Sequence, residues 1–347
     1  MHNQQVFKAR VDDVLRDFVE HETSQLTAIS ADLAPVAEQL RATTAEGKRL
    51  RAAFCYLGWR SAGQPDAAEA VKAAAALELV HAAALVHDDI IDASGTRRGM
   101  PTAHIALQSA IADSGWRQNG AQGLAILVGN LLLSWAAQLF MSCGLPRAFL
   151  ARALPLWSLL ARELVAGECL EILRTGNGHR QEESMEIVRF KTAKYTVERP
   201  LHIGATLGGA PPQLLAAFTS YGLAMGEAFQ LQDDLLGVFG DAHDTGKANL
   251  DDLSGNKPTA LVAVTMSLAQ GADRAELEHR LGRSDLDADD LGAVREIMER
   301  VGARARVQSM VEERAESARA AIAAVRIPSV AADGLDSLAS ALAIRAS

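Results

Sequence analysis

The run that ends at Asp92 constrains this chain more than any other. From Asp66 onward the sequence reads AAEAVKAAAALELVHAAALVHDDIID (residues 67–92), alanine and leucine with few polar interruptions until three aspartates close it. A helix so apolar around its circumference belongs inside a bundle of other helices, so an all-α fold is expected. At 3.6 residues per turn Asp88 and Asp92 stack on one face, with Asp89 about 100° round. Stacked carboxylates repel unless water or a cation lies between them. The flanking Val80, Leu85, Val86, Ile90 and Ile91 argue against a plain solvated face. Oxygen ligands alone suit Mg²⁺ better than zinc. Arg97 and Arg98 follow a glycine-containing turn, and guanidinium groups match phosphate oxygens in bidentate fashion. The stretch reads as a site for metal-bound phosphate.

A second stretch, Gln230-Leu231-Gln232-Asp233-Asp234-Leu235-Leu236-Gly237, repeats the pattern at the end of another apolar helical run. Lys247 and Lys257 follow it, acid first and base after, as in the first stretch. One such acidic cluster is commonly just solvated surface; two, each followed by basic residues, are specific. Gly237 stands where a third aspartate would complete DDxxD, so this half has to rely on Asp233, Asp234 and the nearby Asp241. Gly47-Lys48-Arg49-Leu50-Arg51 is a further basic cluster, placed at a predicted helix start, where cations are unfavourable unless an anion joins them.

These segments resemble the trans-isoprenyl diphosphate synthase (polyprenyl synthetase) family over roughly residues 40–260, in family order. The matches are GKRLR at 47–51, His81, DDIID with Arg97-Arg98-Gly99, Lys191-Thr192, Phe229-Gln230-x-x-Asp233-Asp234, and Gly246-Lys247 with Lys257-Pro258-Thr259. The resemblance implies an isoprenoid synthase-type helical bundle around a central cavity. It implies Mg²⁺-dependent head-to-tail condensation of isopentenyl diphosphate with an allylic diphosphate, and a homodimer. Three Mg²⁺ ions are expected on Asp88, Asp89, Asp92, Asp233 and Asp234. Lys48, Arg51, His81 and Arg98 are expected to hold isopentenyl diphosphate, and Arg97, Lys191, Lys247 and Lys257 the allylic diphosphate. Thr192 and Gln230 would aim dipoles at the developing cation, with the departed diphosphate as base. Glu168 and Glu171 lie where the family commonly has Gly-Gln-x-x-Asp, and no role is assigned to them. A terpene cyclase would leave Lys48, Arg51 and His81 unexplained, and a non-catalytic partner subunit would lack one aspartate motif.

In the family that the chain resembles, the product grows from the aspartates down along the helix that carries them, so the resemblance implies that the residues just before the first aspartate set product length. Ala84 and Ala83 lie one turn below the reacting carbon, about 6–7.5 Å along the axis, and leave the pocket open there. The floor is expected deeper, at Trp135, Leu139 or Phe140, which favours geranylgeranyl diphosphate over farnesyl or longer products.

The rest of the composition narrows the class. The chain has 347 residues, 49% of them hydrophobic, and shows no linker, so one domain spanning 1–347 is expected. A net charge of −9 with scattered basic residues argues against nucleic-acid binding. Cys55, Cys143 and Cys169 read as buried free thiols, and the N-terminus lacks an apolar core, so a cytoplasmic protein is expected. Leu124–Met141 is long enough to cross a membrane, but Asn130, Ser134 and Gln138 form a polar stripe that fits the centre of a bundle better than lipid. Helices are expected at about 6–27, 30–44, 121–143 and 146–174. The C-terminal part reads as amphipathic scaffold and lid.

Overall fold

The computed structural model describes residues 2–112, 115–240 and 250–344, nearly all of them in helices. In chain order these are α1 (His2–Ile29), α2 (Ala34–Ala45), α3 (Leu50–Ser61), α4 (Ala68–Ile91), the short α5 (Ala103–Ala106), α6 (Arg117–Met141), α7 (Arg147–Arg174) and α8 (Gln181–Ile187). A π-helix (Val188–Glu198) runs on into α9 (Arg199–Leu207), followed by α10 (Pro212–Phe239), α11 (Asp251–Ser254), α12 (Ala260–Leu268), α13 (Gly271–Arg280), α14 (Ala288–Arg300), α15 (Ala303–Ala323) and α16 (Ser329–Ile344). The β-structure is one ribbon, Thr96–Arg97 against Met100–Pro101, which turns the chain after the first acidic motif.

Helix α4 is the axis of the first half. Ala73–Ala76 are fully buried, and α6, α3, α1, α2 and α5 pack around it. Asp66 does not cap the helix but accepts hydrogen bonds from Arg10 (3.0 and 3.1 Å) and Tyr56 (2.6 Å). Thr102 likewise does not cap α5; its hydroxyl donates to the Ser94 carbonyl at 2.7 Å and closes the turn after Asp92.

Helix α6 corrects an expectation. Because α4 already fills the centre, α6 buries only the face carrying Val128, Leu132, Trp135, Ala136 and Leu139. Asn130, Ser134 and Gln138 face outward, and Gln138 donates to Glu22 at 2.6 Å. Ile126, Leu127, Leu133 and Met141 are exposed on the same helix. Both α4 and α6 are long and apolar enough to cross a membrane, yet most of α4 and nearly half of α6 are covered by the fold, as in core helices. Cys55 and Cys143 are buried free thiols, whereas Cys169 is exposed because it lies on the outer face of α7.

The second half is built on α10, which packs against the π-helix and α15. A π-helix of this length is unusual, since i→i+5 turns mostly occur singly and at functional sites. Close approach holds it in place. A Cβ on Gly167 of α7 would lie 2.3 Å from the Lys191 amide nitrogen, and one on Gly226 of α10 would lie 2.3 Å from Ala193 Cα. Only glycine lets three backbones meet this tightly, and the residues so clamped are those around Lys191-Thr192.

Candidate active site

The first acidic motif is drawn onto cations from three separate elements. Arg97, on the ribbon, donates to both Asp89 oxygens (2.8 and 3.0 Å) and to Asp88 (3.1 Å). Lys191 on the π-helix lies 3.1 Å from Asp88, 3.0 Å from Glu168 and 2.7 Å from Glu171. Lys257, after α11, lies 2.5 Å from Asp92 and 3.8 Å from Glu171. Burial opposes ionisation of Asp88, but Lys191, Lys257 and Arg97 together hold its carboxyl below the ordinary range. Burial also opposes the charge on Lys191, and Glu171, Asp88 and Glu168 outweigh it and raise the ammonium well above its usual range. Glu168 goes the other way: burial lifts its carboxyl despite Lys191.

The opposite wall is cationic. Arg49, with a left-handed φ of 54°, buries its guanidinium under the loop and donates to Asp12 (2.7 Å) and to the Thr44 and Ala45 carbonyls (2.8 and 3.1 Å). It thereby ties the C-terminal end of α2, where backbone carbonyls need donors, to the start of α3. Lys48 and Arg51 flank it. Arg51 lies over the Tyr195 ring at 4.3 Å and donates to Thr196 at 2.9 Å, while its Nε is buried with no partner. His81 pairs through Nδ1 with the Tyr195 hydroxyl at 3.2 Å. Burial, reinforced by Arg51, Arg98 and Arg97, pushes His81 well below its ordinary range, so its ring is neutral. Burial and the neighbouring Arg49 and Arg97 lower Arg98 too, a sign of cations crowded without enough anions. Glu78, 4% exposed, is a buried acid within this wall; it accepts the Ala52 amide at 2.9 Å and caps α3 from α4.

The second motif divides its aspartates. Asp233 is exposed on α10. Asp234 is buried, and its two oxygens accept from Gln230 (2.9 Å) and from the Ala260 amide at the start of α12 (2.9 Å). Burial pushes Asp234 up to about 7. Thr192 donates to Gln230 at 2.6 Å, so one hydrogen-bond chain runs from the π-helix through α10 to α12. The gap at Gly237 is filled from elsewhere: a Cβ there would lie 3.3 Å from Asp252 Oδ2. Lys247 and Asp241 lie outside the described residues. Among the described residues no three carboxylate, histidine or cysteine side chains converge as a ready metal cage. That donor set fits Mg²⁺, which is commonly held by one or two carboxylates together with substrate phosphate oxygens.

The polyprenyl synthetase family model matches residues 34–299. The chain belongs to the polyprenyl synthetase family. Among solved structures of this family, a geranylgeranyl pyrophosphate synthase from Corynebacterium glutamicum, complexed with isoprenyl diphosphate and magnesium, superposes with a TM-score of 0.93 at 34% identity, covering 98% of each chain. A short chain isoprenyl diphosphate synthase from Methanothermobacter thermautotrophicus is 32% identical over 84% of this chain and 85% of that protein. The octaprenyl diphosphate synthase of Escherichia coli is 31% identical over 80% and 79% respectively. Membership therefore fixes a prenyltransferase of the trans-prenyl diphosphate synthase type, with the all-α isoprenoid synthase fold, and leaves product length open.

Of the residues expected in the site, Asp88, Asp89, Asp92, Arg97, Lys191 and Lys257 are joined in one ion-pair network, and His81 and Arg51 share Tyr195. Ala84 is half-buried on the Asp88 face of α4, while Ala83, 100° round, is fully buried. Trp135 and Leu139 are buried on α6, and the Trp135 ring meets Phe18 of α1 edge-on. Sequence reasoning missed Arg49, Glu78, Tyr195 and Asp252, and gave no role to Glu168 or Glu171. Glu78 alone left a signal, an acid inside an apolar run one turn before His81.

Proposed function

We propose that the protein condenses isopentenyl diphosphate head to tail with allylic diphosphates (dimethylallyl, geranyl, farnesyl) in a Mg²⁺-dependent reaction, with geranylgeranyl diphosphate as main product. The observation that carries this is the polarity of the cleft. One wall presents carboxylates held by exchangeable lysines, suited to a diphosphate bound through metal. The other presents Lys48, Arg51 and Arg98 with a buried, unpartnered guanidinium N–H, suited to a diphosphate bound directly. A cyclase has no use for the second wall. Tyr195 and Lys191, one turn apart on the π-helix, tie the two together.

In this reading the C–O bond of the allylic diphosphate breaks and its electron pair leaves on the phosphate oxygen. Lys191, Lys257 and Arg97 receive that charge from the protein side. Mg²⁺ on Asp88, Asp92 and Asp233 supplies, when bound, the remaining neutralisation of the diphosphate. Lys48, Arg51, Arg98 and neutral His81 hold isopentenyl diphosphate so that its double bond forms the new C–C bond to the allylic carbon. The proton lost afterwards goes to the departed diphosphate, so no side-chain base is required. Thr192, whose hydrogen is committed to Gln230, turns its oxygen lone pairs toward the cation. Small Ala84 supports growth past farnesyl. Turnover of isopentenyl and farnesyl diphosphates with Mg²⁺, read by chromatography of dephosphorylated products, tests the proposal. EDTA should abolish it, and Asp88→Ala or Asp233→Ala should cut it by orders of magnitude in a folded protein. A near-normal rate in either variant would sink the metal assignment.

A cytoplasmic homodimer completes the proposal. Leu127 and Leu133 on α6, and Val165, Ile172 and Leu173 on α7, are exposed apolar side chains. Exposed apolar residues grouped along a helix suit an interface, and a second copy suits them because the remainder of the chain already packs its core. Sedimentation of the wild type and of Leu127→Glu should give dimer and monomer; a monomeric wild type would refute the dimer.

A further inference from the structure

The ion pairs around Lys191 are more than the site needs for holding substrate. Its ammonium has three N–H donors, and Glu171, Glu168 and Asp88 stand at 2.7, 3.0 and 3.1 Å to take them. Glu171 also faces Lys257, the other lysine on that wall, at 3.8 Å. A diphosphate can therefore reach Lys191 only by displacing a carboxylate. Asp88 has Arg97 as a further partner, and Glu171 has Lys257. Glu168 has neither: its Oε2 relies on Lys191, and its Oε1 is already buried with no hydrogen bond. Nor can the two separate by a shift of helices, because the backbone of α7 at Gly167 touches that of the π-helix at Lys191. When phosphate oxygens take Lys191, Glu168 is left as a half-buried charge facing another anion, which is costly.

We infer that Glu168 is a positioning residue that competes with bound diphosphate for Lys191, and so weakens the hold on pyrophosphate and speeds its release after each condensation. The inference rests on the prenyl-transfer reading above. Substrate loses some affinity by the same device, but only pyrophosphate has to leave before the next cycle. Glu168→Gln keeps the shape and an acceptor for Lys191 and removes the charge. Calorimetric titration of the Mg²⁺-loaded protein with inorganic pyrophosphate should show about tenfold or more tighter binding in Glu168→Gln, because removing one charge a few ångströms from another anion leaves at least that much after solvent and the Lys191 ammonium have screened most of the repulsion. Glu168→Ser should tighten binding as well, and Glu168→Asp should return it toward wild type. The KM for isopentenyl diphosphate should not move. Steady-state kcat should fall in Glu168→Gln while the single-turnover rate holds. Unchanged or weaker pyrophosphate binding in both Glu168→Gln and Glu168→Ser overturns the inference. A wild type that binds no pyrophosphate overturns the prenyl-transfer reading itself, and this inference with it.

Discussion

Replacing Glu78 tests how the cationic wall is held. Its carboxylate is 4% exposed and accepts the Ala52 amide at 2.9 Å, in the first turn of α3 and one residue after Arg51. A hydrogen bond to a charged group contributes about 1.5–3 kcal/mol, and an anion at a helix N-terminus roughly a further 0.3–1 kcal/mol. Glu78→Gln keeps an acceptor oxygen and loses the charge, so it should cost about 1–2 kcal/mol. Glu78→Ala strands a buried amide and opens a small void, and should cost about 3 kcal/mol. Urea denaturation should show this as a lowered midpoint at unchanged slope. Because α3 carries Arg51, the KM for isopentenyl diphosphate should rise several-fold in Glu78→Gln while that for the allylic substrate stays put. Equal shifts in both KM values, or a Glu78→Ala variant destabilised by less than about 0.5 kcal/mol, would refute the argument, since a loss of that size is within the range of ordinary surface changes.

Further substitutions probe other parts of the site. Lys48→Ala should chiefly raise the KM for isopentenyl diphosphate and Lys257→Ala that for the allylic partner; a reversed pattern exchanges the two walls. Ala84→Phe should shorten the product to farnesyl diphosphate, measured by chromatography of the dephosphorylated prenols, and an unchanged product removes Ala84 from the lining of the growing chain. Gly237→Asp, which completes the DDxxD spelling, should lower stability and activity, because its Cβ arrives 3.3 Å from Asp252 Oδ2. Two carboxylates about 4 Å apart repel by roughly 4 kcal/mol at an effective dielectric of 20, less what solvent screens, and Asp252→Asn should relieve much of that loss in the double variant.

The parts legible in the sequence are those set by short-range periodicity. The apolar run into Asp88 predicted a buried helix, and its residues 73–76 are fully enclosed. Stacking at i and i+4 placed Asp88 and Asp92 on one face, and both meet lysines there. Helix α6 misled because an apolar helix with a polar stripe looks the same whether the stripe faces a bundle centre or the outside. The neighbour that decides, α4, is known only from packing. Arg49 reads as one more member of a basic cluster until its φ of 54° and its carbonyl partners show that it closes α2 and leaves Lys48 and Arg51 to flank the loop.

Gly237 and Asp252 show the same limit within a single motif. A linear pattern treats glycine at that position as a lost carboxylate. The chain instead brings Asp252 in from α11, within van der Waals reach of where the missing side chain would begin. The same helix fixes Lys257, whose amide donates to the Asp252 carbonyl at 3.0 Å. Asp252 therefore stands beside the helix that carries Asp233 while its carbonyl holds the amide of the lysine paired with Asp92, a position that an acid at 237 could not take. A residue at 237 is fixed to α10 and moves with Asp233 alone. One at 252 moves with Lys257, the lysine that pairs with the first motif.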